Sequence, residues 1–475
     1  MKTLIIWKTI MSSNEGRLGR GAIFTFLEQL VQALKNRTSP PQLIMFVFFC
    51  LIWVGALLLM LPAASTAAGS IGLLDALFTA TSAICVNGLV VLDTGSVFTT
   101  FGQVVIMVMI QIGGLGFMTL GVMVAIVLGK KIGLKQRLVI QQATNSSSAQ
   151  GLVKLSIYMV MIAFAFEAIA TLILTLRWQG DLGWGQAVYH GLFHSVSAFN
   201  NAGFALWSDS MSAYIGDPVV NVTIVLLFII GGLGYIVVVD ILRKRSWRRL
   251  SLHSKVVLLG SGILFGAGFI LLYLLESWNP ATFGPLDTGE QLWAAFFQGA
   301  TPRSSGFNTI DIGSMLTTSQ FLIIILMFIG AASGGTGGGI KINTIIVLVL
   351  ATVNTFRGRG QIHAFDRRIA SDTVMRALAV VMSSLGVVLI VSLLLTISEG
   401  MLEEHFLEVL FEATSAFSTT GLSMGLTSEL SPAGKIIVTV TMFAGRLGPL
   451  TLAYALAQKK RSSKIGYPED HILIG

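Results

Sequence analysis

Four short stretches of this sequence carry residue types suited to holding a bare cation: "SAICVNG" at 82–88, "SAFNNAG" at 197–203, "ATPRSSG" at 300–306 and "SAFSTTG" at 415–421. Each is a run of small or polar residues closed by a glycine. The glycines, Gly88, Gly203, Gly306 and Gly421, follow one another at intervals of 115, 103 and 115 residues. A cation that leaves water needs oxygen ligands in place of its hydration shell, and a short extended backbone can aim consecutive carbonyls at one axis. Glycine reaches backbone angles closed to other residues, so such a turn needs no side chain on that axis. Glycine is also the commonest residue just past a helix end. That plainer reading covers any one of these loops, but not four in register. Asp93, Asp209 and Asp311 lie five, six and five residues beyond their glycines, where acids would gather cations at an outer mouth.

The elements that must position these loops are membrane helices. Hydrophobic residues make up 54% of the 475-residue chain and charged residues 11%, against roughly 25% charged in ordinary globular chains. Apolar runs lie near 42–62, 101–128, 153–176, 219–242, 254–275, 319–350, 374–397 and 434–457. Each reaches the ~20 residues that a helix needs to cross a hydrocarbon core of ~30 Å. Shorter amphipathic stretches near 72–84, 185–199, 289–301 and 403–417 fall between alternate pairs and are too short to span. Their alternatives are surface loops or re-entrant half-helices, the latter tolerated only inside protein or beside water. The order long, short, long recurs four times. A half-helix of this kind would turn its negative dipole end toward the loop that follows it, which favours a cation.

Charge placement gives the orientation. The net charge is +8. The bases cluster between spans, as in Lys130, Lys131, Lys135 and Arg137, in Arg243 to Arg249, in Arg357 to Arg368 and in Lys459 to Arg461. Acids dominate the opposite loops, with few bases there beyond Arg177, Arg303 and Lys435. The positive-inside rule then makes the basic loops cytoplasmic, with eight spans and both termini inside. The first 40 or so residues read as a retained basic segment, since "LIIW" is too short for a signal-peptide core. The division expected is a cytoplasmic segment 1–41, units 42–130, 150–245, 252–355 and 372–459, and a cytoplasmic tail 460–475.

The stretches "ALFTATSAICVNGLVVLDTG", "HSVSAFNNAGF", "TPRSSGFNTID", "TSAFSTTGLSMG", "GAASGGTGGGIKINT" and "FAGRLGPLTL" resemble the Trk/Ktr/HKT superfamily of potassium transporters, and within it the KtrB-type membrane subunits, from about residue 40 to the end. The resemblance implies an all-α integral membrane protein with four covalently joined helix, pore-helix, helix repeats around one ion pore. It also implies a selectivity filter built from carbonyls of Cys85, Val86, Asn87 and Gly88; Asn200, Asn201, Ala202 and Gly203; Arg303, Ser304, Ser305 and Gly306; and Ser418, Thr419, Thr420 and Gly421. Potassium would be the substrate, sodium an activator, and no covalent cofactor is implied. The partners implied are a second copy of the chain and a cytoplasmic ring of nucleotide-binding regulatory subunits, in a plasma membrane. The basic loops fit that ring or anionic lipid, and nothing points to nucleic acid. Asn87 stands where similar proteins usually have threonine. Sodium-selective relatives often carry serine at the first filter glycine, so Gly88 points to potassium. A TrkH-type subunit and a less selective potassium/sodium translocator are the neighbouring alternatives.

The second helices align at Gly113, Gly231, Gly330 and Gly445, in "GGLG", "GGLG", "GAAS" and "GRLG". The third is interrupted by Gly334, Gly335, Thr336, Gly337, Gly338 and Gly339, and glycines are poor helix formers. It reads as an unwound loop, either a gate or a kink, and the resemblance favours a gate. Gly334 and Gly339 have the outer spacing of a phosphate-binding loop, but Ile340 takes the lysine position and no strand precedes it. In the fourth unit Arg446 replaces the glycine found at 114 and 232. An arginine at that depth either faces the pore or pairs with an acid, for which Glu167 is the candidate.

Other chemistry is thin. His190 and His194 are four apart, but no glutamate follows His190 to make a zinc-protease pattern. Cys50 and Cys85 form neither a metal spacing nor a disulfide framework. An enzyme would need a nucleophile and base or paired carboxylates within the spans, where only Glu167 is available. A secondary carrier would more often show two inverted halves than four parallel units.

Overall fold

The computed structural model describes residues 40–66, 69–116, 152–358, 361–365, 367–400 and 405–448. The basic N-terminal segment, the loop of Lys130 to Arg137 and the C-terminal tail lie outside the described residues. The elements run α1 (Pro40–Leu59), α2 (Leu73–Cys85), α3 (Thr100–Leu115); α4 (Leu152–Leu182), α5 (Trp184–Phe199), α6 (Pro218–Leu233), α7 (Tyr235–Lys244); α8 (Leu252–Glu276), α9 (Thr288–Ala300), α10 (Thr317–Phe328), α11 (Ile342–Phe356); and α12 (Ser371–Glu399), α13 (Phe406–Ser418), α14 (Pro432–Leu447). A two-residue hairpin, β1 (His363–Ala364) with β2 (Arg367–Arg368), precedes α12.

Each group of elements opens on a long apolar helix that splits its faces. On α1, Ile44, Phe48, Ile52, Ala56 and Leu59 recur at helical spacing and are buried, while Phe49, Val54 and Leu57 are more than half exposed. Side chains this apolar on an outer face need hydrocarbon rather than water around them. The same composition makes α4, α8 and α12 long enough to cross a membrane.

The sequence predicts eight spans, with only the second helix of the third group interrupted; the second helices of the other groups are interrupted too. Four described helices reach spanning length, or five if α6 and α7 count as one, and those two are bent by 96°. α3, α6 and α14 each stop after 16 residues. The physical cause is shared: Gly116, Gly234 and Gly448 follow with φ of 75°, 88° and 78°, a positive-φ conformation that leaves the helix and that glycine adopts without a Cβ clash. α10 stops at Phe328 and the chain resumes as a helix at Ile342. That interruption was legible in the glycine run 334–339, whereas a glycine inside an apolar run is equally compatible with close helix packing, so the breaks after α3, α6 and α14 were not.

A buried carboxylate fastens the turn that follows α8. Glu276, at the end of α8 and fully buried, accepts hydrogen bonds from the Leu316 amide (2.9 Å), the Asn279 side chain (2.7 Å) and the Thr282 hydroxyl (2.6 Å). Glu276→Ala strands three buried donors and should cost about 3 kcal/mol, at the upper end for unsatisfied groups. A drop in the melting temperature of detergent-solubilised protein would measure it, and an unchanged value would refute the assignment.

Candidate functional site: four converging loops

The four short helices end in one backbone pattern. Val86, Asn201, Ser304 and Thr419, each two residues before its glycine, adopt φ of 55°, 60°, 65° and 48°. In three loops the next amide closes back on the helix, from Asn87 to Ser82 O (2.8 Å), Ala202 to Ser197 O (2.8 Å) and Thr420 to Ser415 O (3.0 Å). This is the Schellman arrangement, usually built on glycine. Here the left-handed residue is β-branched in two loops, a strained choice of the kind found at functional sites. The glycines therefore do not cap the helices. They lie two residues beyond the left-handed caps, with φ of 96°, 71°, 78° and 86° at Gly88, Gly203, Gly306 and Gly421.

What these glycines meet is one another. A Cβ placed on Gly88 would lie 2.6 Å from Ala202 O. One on Gly203 would lie 2.9 Å from Ser305 O, and one on Gly306 would lie 2.7 Å from Thr420 O. One on Gly421 would strike Asn87 O and lie 2.7 Å from the Gly88 Cα. The contacts run from loop 1 to 2, 2 to 3, 3 to 4 and 4 to 1, so the ring closes, and any side chain would break it.

Polar side chains pin the ring from behind. The Gly88 and Gly421 amides donate to Ser82 and Ser415 hydroxyls, each at 3.1 Å. Ser304 Oγ donates to Ser418 O (3.1 Å), joining loops 3 and 4. The Asn87 amide reaches Ala416 O of α13 (3.0 Å) and ties loop 1 to unit 4. A threonine at 87 would be too short to make that link by the same route. The four helix C-termini beside the ring bring the negative ends of their dipoles to it.

Against the ends of α5 and α13 packs the segment that interrupts the third unit. Ala332 and Thr336 amides donate to Gly232 O (2.9 Å) and Gly231 O (3.1 Å), and the Tyr235 amide donates to Gly334 O (3.1 Å). Thr336 Oγ1 reaches Asn201 Oδ1 at 2.6 Å. A Cβ on Gly337 would lie 2.8 Å from the Ser304 Cβ, and one on Gly339 would lie 3.2 Å from the Ser418 Cα, so this segment needs its glycines to fit under the ring. A helix, α10, and not a strand precedes it, unlike a phosphate-binding loop. Arg446 of α14 donates to Thr336 O and Gly113 O, spanning from this segment to α3. Of the two alternatives for Arg446, the pairing with Glu167 is not what the structure has. Glu167 instead accepts from Gln111 and Asn200.

The TrkH family of cation transport proteins matches residues 34–465. The chain belongs to that family. It is 45% identical to the Ktr system potassium uptake protein B of Bacillus subtilis, over 92% of this chain and 97% of that one. It is 42% identical to the protein of the same name in Vibrio alginolyticus, over 93% and 96%. The potassium/sodium uptake protein NtpJ of Enterococcus hirae is 37% identical over 93% and 98%. The crystal structure of the potassium transporter TrkH from Vibrio parahaemolyticus has the same fold, with a TM-score of 0.69, 18% identity, and coverage of 89% and 86% of the two chains.

Family membership makes this a transporter rather than an enzyme. His194 donates from Nδ1 to His190 O (2.8 Å), accepts the Leu206 amide on Nε2 (3.2 Å) and stacks on Trp207. It is a satisfied packing residue. Asp93 and Asp311 cap local turns, accepting from Ser96 N (2.8 Å) and Ser314 Oγ (2.6 Å), and Asp209 is exposed. No contact among the described residues joins the three acids. Arg303, counted in the sequence among outer-loop bases, turns inward to Ser261 of α8 (3.0 Å). Sequence reading missed Gln111 and Ser261, whose only signal was polarity within an apolar run.

Proposed function

We propose that this transporter takes potassium up across the plasma membrane as the membrane subunit of a Ktr-type system, through a selectivity filter formed by the four loops. The observation that carries this is the closed ring of Gly88, Gly203, Gly306 and Gly421, each against the carbonyl of the next loop. Carbonyls held on one axis can replace a potassium hydration shell. The two Ktr system relatives support potassium as substrate. The four helix, pore-helix, helix repeats then surround a single pore, with Asp93, Asp209 and Asp311 adding a negative field at its outer side.

The gate in this reading is the segment Gly334, Gly335, Thr336, Gly337, Gly338 and Gly339 together with Arg446. It packs against the ring and is fastened by the guanidinium. A homodimer, a cytoplasmic nucleotide-binding ring, sodium activation, contact with membrane lipid and both termini inside complete the proposal, resting on the Ktr relatives and on bases such as Arg243 to Arg249. Purified protein in liposomes should accumulate rubidium or potassium well in excess of sodium under matched gradients. Equal uptake of both ions would favour the less selective reading, for which the 37% identity to the potassium/sodium uptake protein speaks. Uptake of neither, in folded protein, would refute both.

A further inference from the structure

A buried acid with no role in the proposal above stands directly behind loop 2. Glu167 lies in the middle of the spanning helix α4 and is 3% exposed. An acid at that depth is expensive and calls for a functional explanation. Among the described residues no base reaches it. Its two oxygens are instead divided between two amides: Gln111 Nε2 donates to Oε2 (3.3 Å) and Asn200 Nδ2 to Oε1 (3.1 Å). The two Asn200 Nδ2 hydrogens are shared between Glu167 and two further acceptors, Gln111 Oε1 (2.9 Å) and Val196 O (2.9 Å). The triad therefore binds the second helix of unit 1, the first helix of unit 2 and loop 2 at one point.

That point is two residues from Ala202, whose carbonyl meets Gly88 across the joint between loops 1 and 2. Loops 1 and 4 are joined by Asn87 with Ala416, and loops 3 and 4 by Ser304 with Ser418. Between units 1 and 2 the corresponding fastening is the triad. Gly114 leaves room for it, since a Cβ there would lie 2.6 Å from the Asn200 Cβ. The two amides present their NH2 groups to position 167 from different sides and meet separate oxygens there. A carboxylate has two such oxygens; an amide has one.

We propose that Glu167 is a positioning residue for ion selectivity, holding Asn200 and through it the joint between loops 1 and 2. This rests on the filter reading, and the same assay separates the two. In liposomes containing the full-length protein, the ratio of rubidium to sodium uptake is measured for wild type, Glu167→Gln, Glu167→Ala, Gln111→Leu and the Glu167→Ala/Gln111→Leu pair. A wild type without preference would sink the filter reading. With a selective wild type, Glu167→Ala should lower the ratio at least fivefold, and Glu167→Gln, which keeps one acceptor, should fall in between. The double variant should match the worse single, since both act through Asn200. A wild-type ratio in folded Glu167→Ala, or multiplying effects in the pair, would overturn the proposal. If Glu167→Ala does not fold, Gln111→Leu decides alone: a lowered ratio supports the triad and an unchanged one refutes it.

Discussion

Arg446→Gln should raise potassium flux at least fivefold in liposomes, in protein that still folds. The guanidinium donates to Thr336 O and Gly113 O, and among the described residues no carboxylate pairs with it; in the proposed gate it faces the ion passage. A positive charge in a low-dielectric passage repels a passing cation far more strongly than it would in water. It also fastens the glycine segment to α3 across two units. Glutamine is neutral and shorter, so it removes the repulsion and most of the fastening together. The stability cost should stay at about 1–3 kcal/mol, the range for carbonyls losing a charged donor, because no buried acid is orphaned. Deleting residues 334–339 should raise basal flux by a similar factor and weaken its regulation, and adding Arg446→Gln to the deletion should gain little more. A large loss of stability without any gain in flux would sink the barrier; a deletion with wild-type flux and control would move the gate elsewhere.

Much of the frame could be read because lipid is a demanding solvent. A chain with 54% hydrophobic residues and bases gathered between its apolar runs is held to helices. The four loops were legible because glycine at a fixed place after four short helices is a pattern that no single helix end explains. What escaped was contact across the chain. Asn200 meets Glu167 33 residues away and Gln111 89 residues away. Nothing local marks those three polar residues as partners, so Glu167 looked available to Arg446. The breaks after α3, α6 and α14 escaped for another reason: the same glycine serves packing in one helix and termination in another, and only its φ tells which. The left-handed caps at Val86 and Thr419 run against local preference altogether, and β-branched residues there are held by the surrounding structure rather than announced by the sequence.

Gly88→Ser tests the ring at its first member, and the structure changes what the result should be. From the sequence, a hydroxyl would add a ligand to one quarter of the cage. In the structure the added Cβ would come first, 2.6 Å from Ala202 O and 3.2 Å from the Gly421 Cα, at a φ of 96° that side chains rarely adopt. Loop 2 has to yield, because the contact is with backbone and not with the end of a flexible side chain. A ring pushed open on one side holds its carbonyls at unequal distances, and discrimination between ions of different size depends on how those carbonyls replace the hydration shell. The rubidium to sodium uptake ratio should therefore fall about tenfold or more, with total cation flux changing less than the ratio. Gly88→Ala carries the same Cβ without the hydroxyl and separates the two causes. If alanine matches serine, the geometry of the ring sets selectivity; if only serine admits sodium, the hydroxyl acts as a ligand. Unchanged ratios in both folded variants would remove Gly88 from the filter.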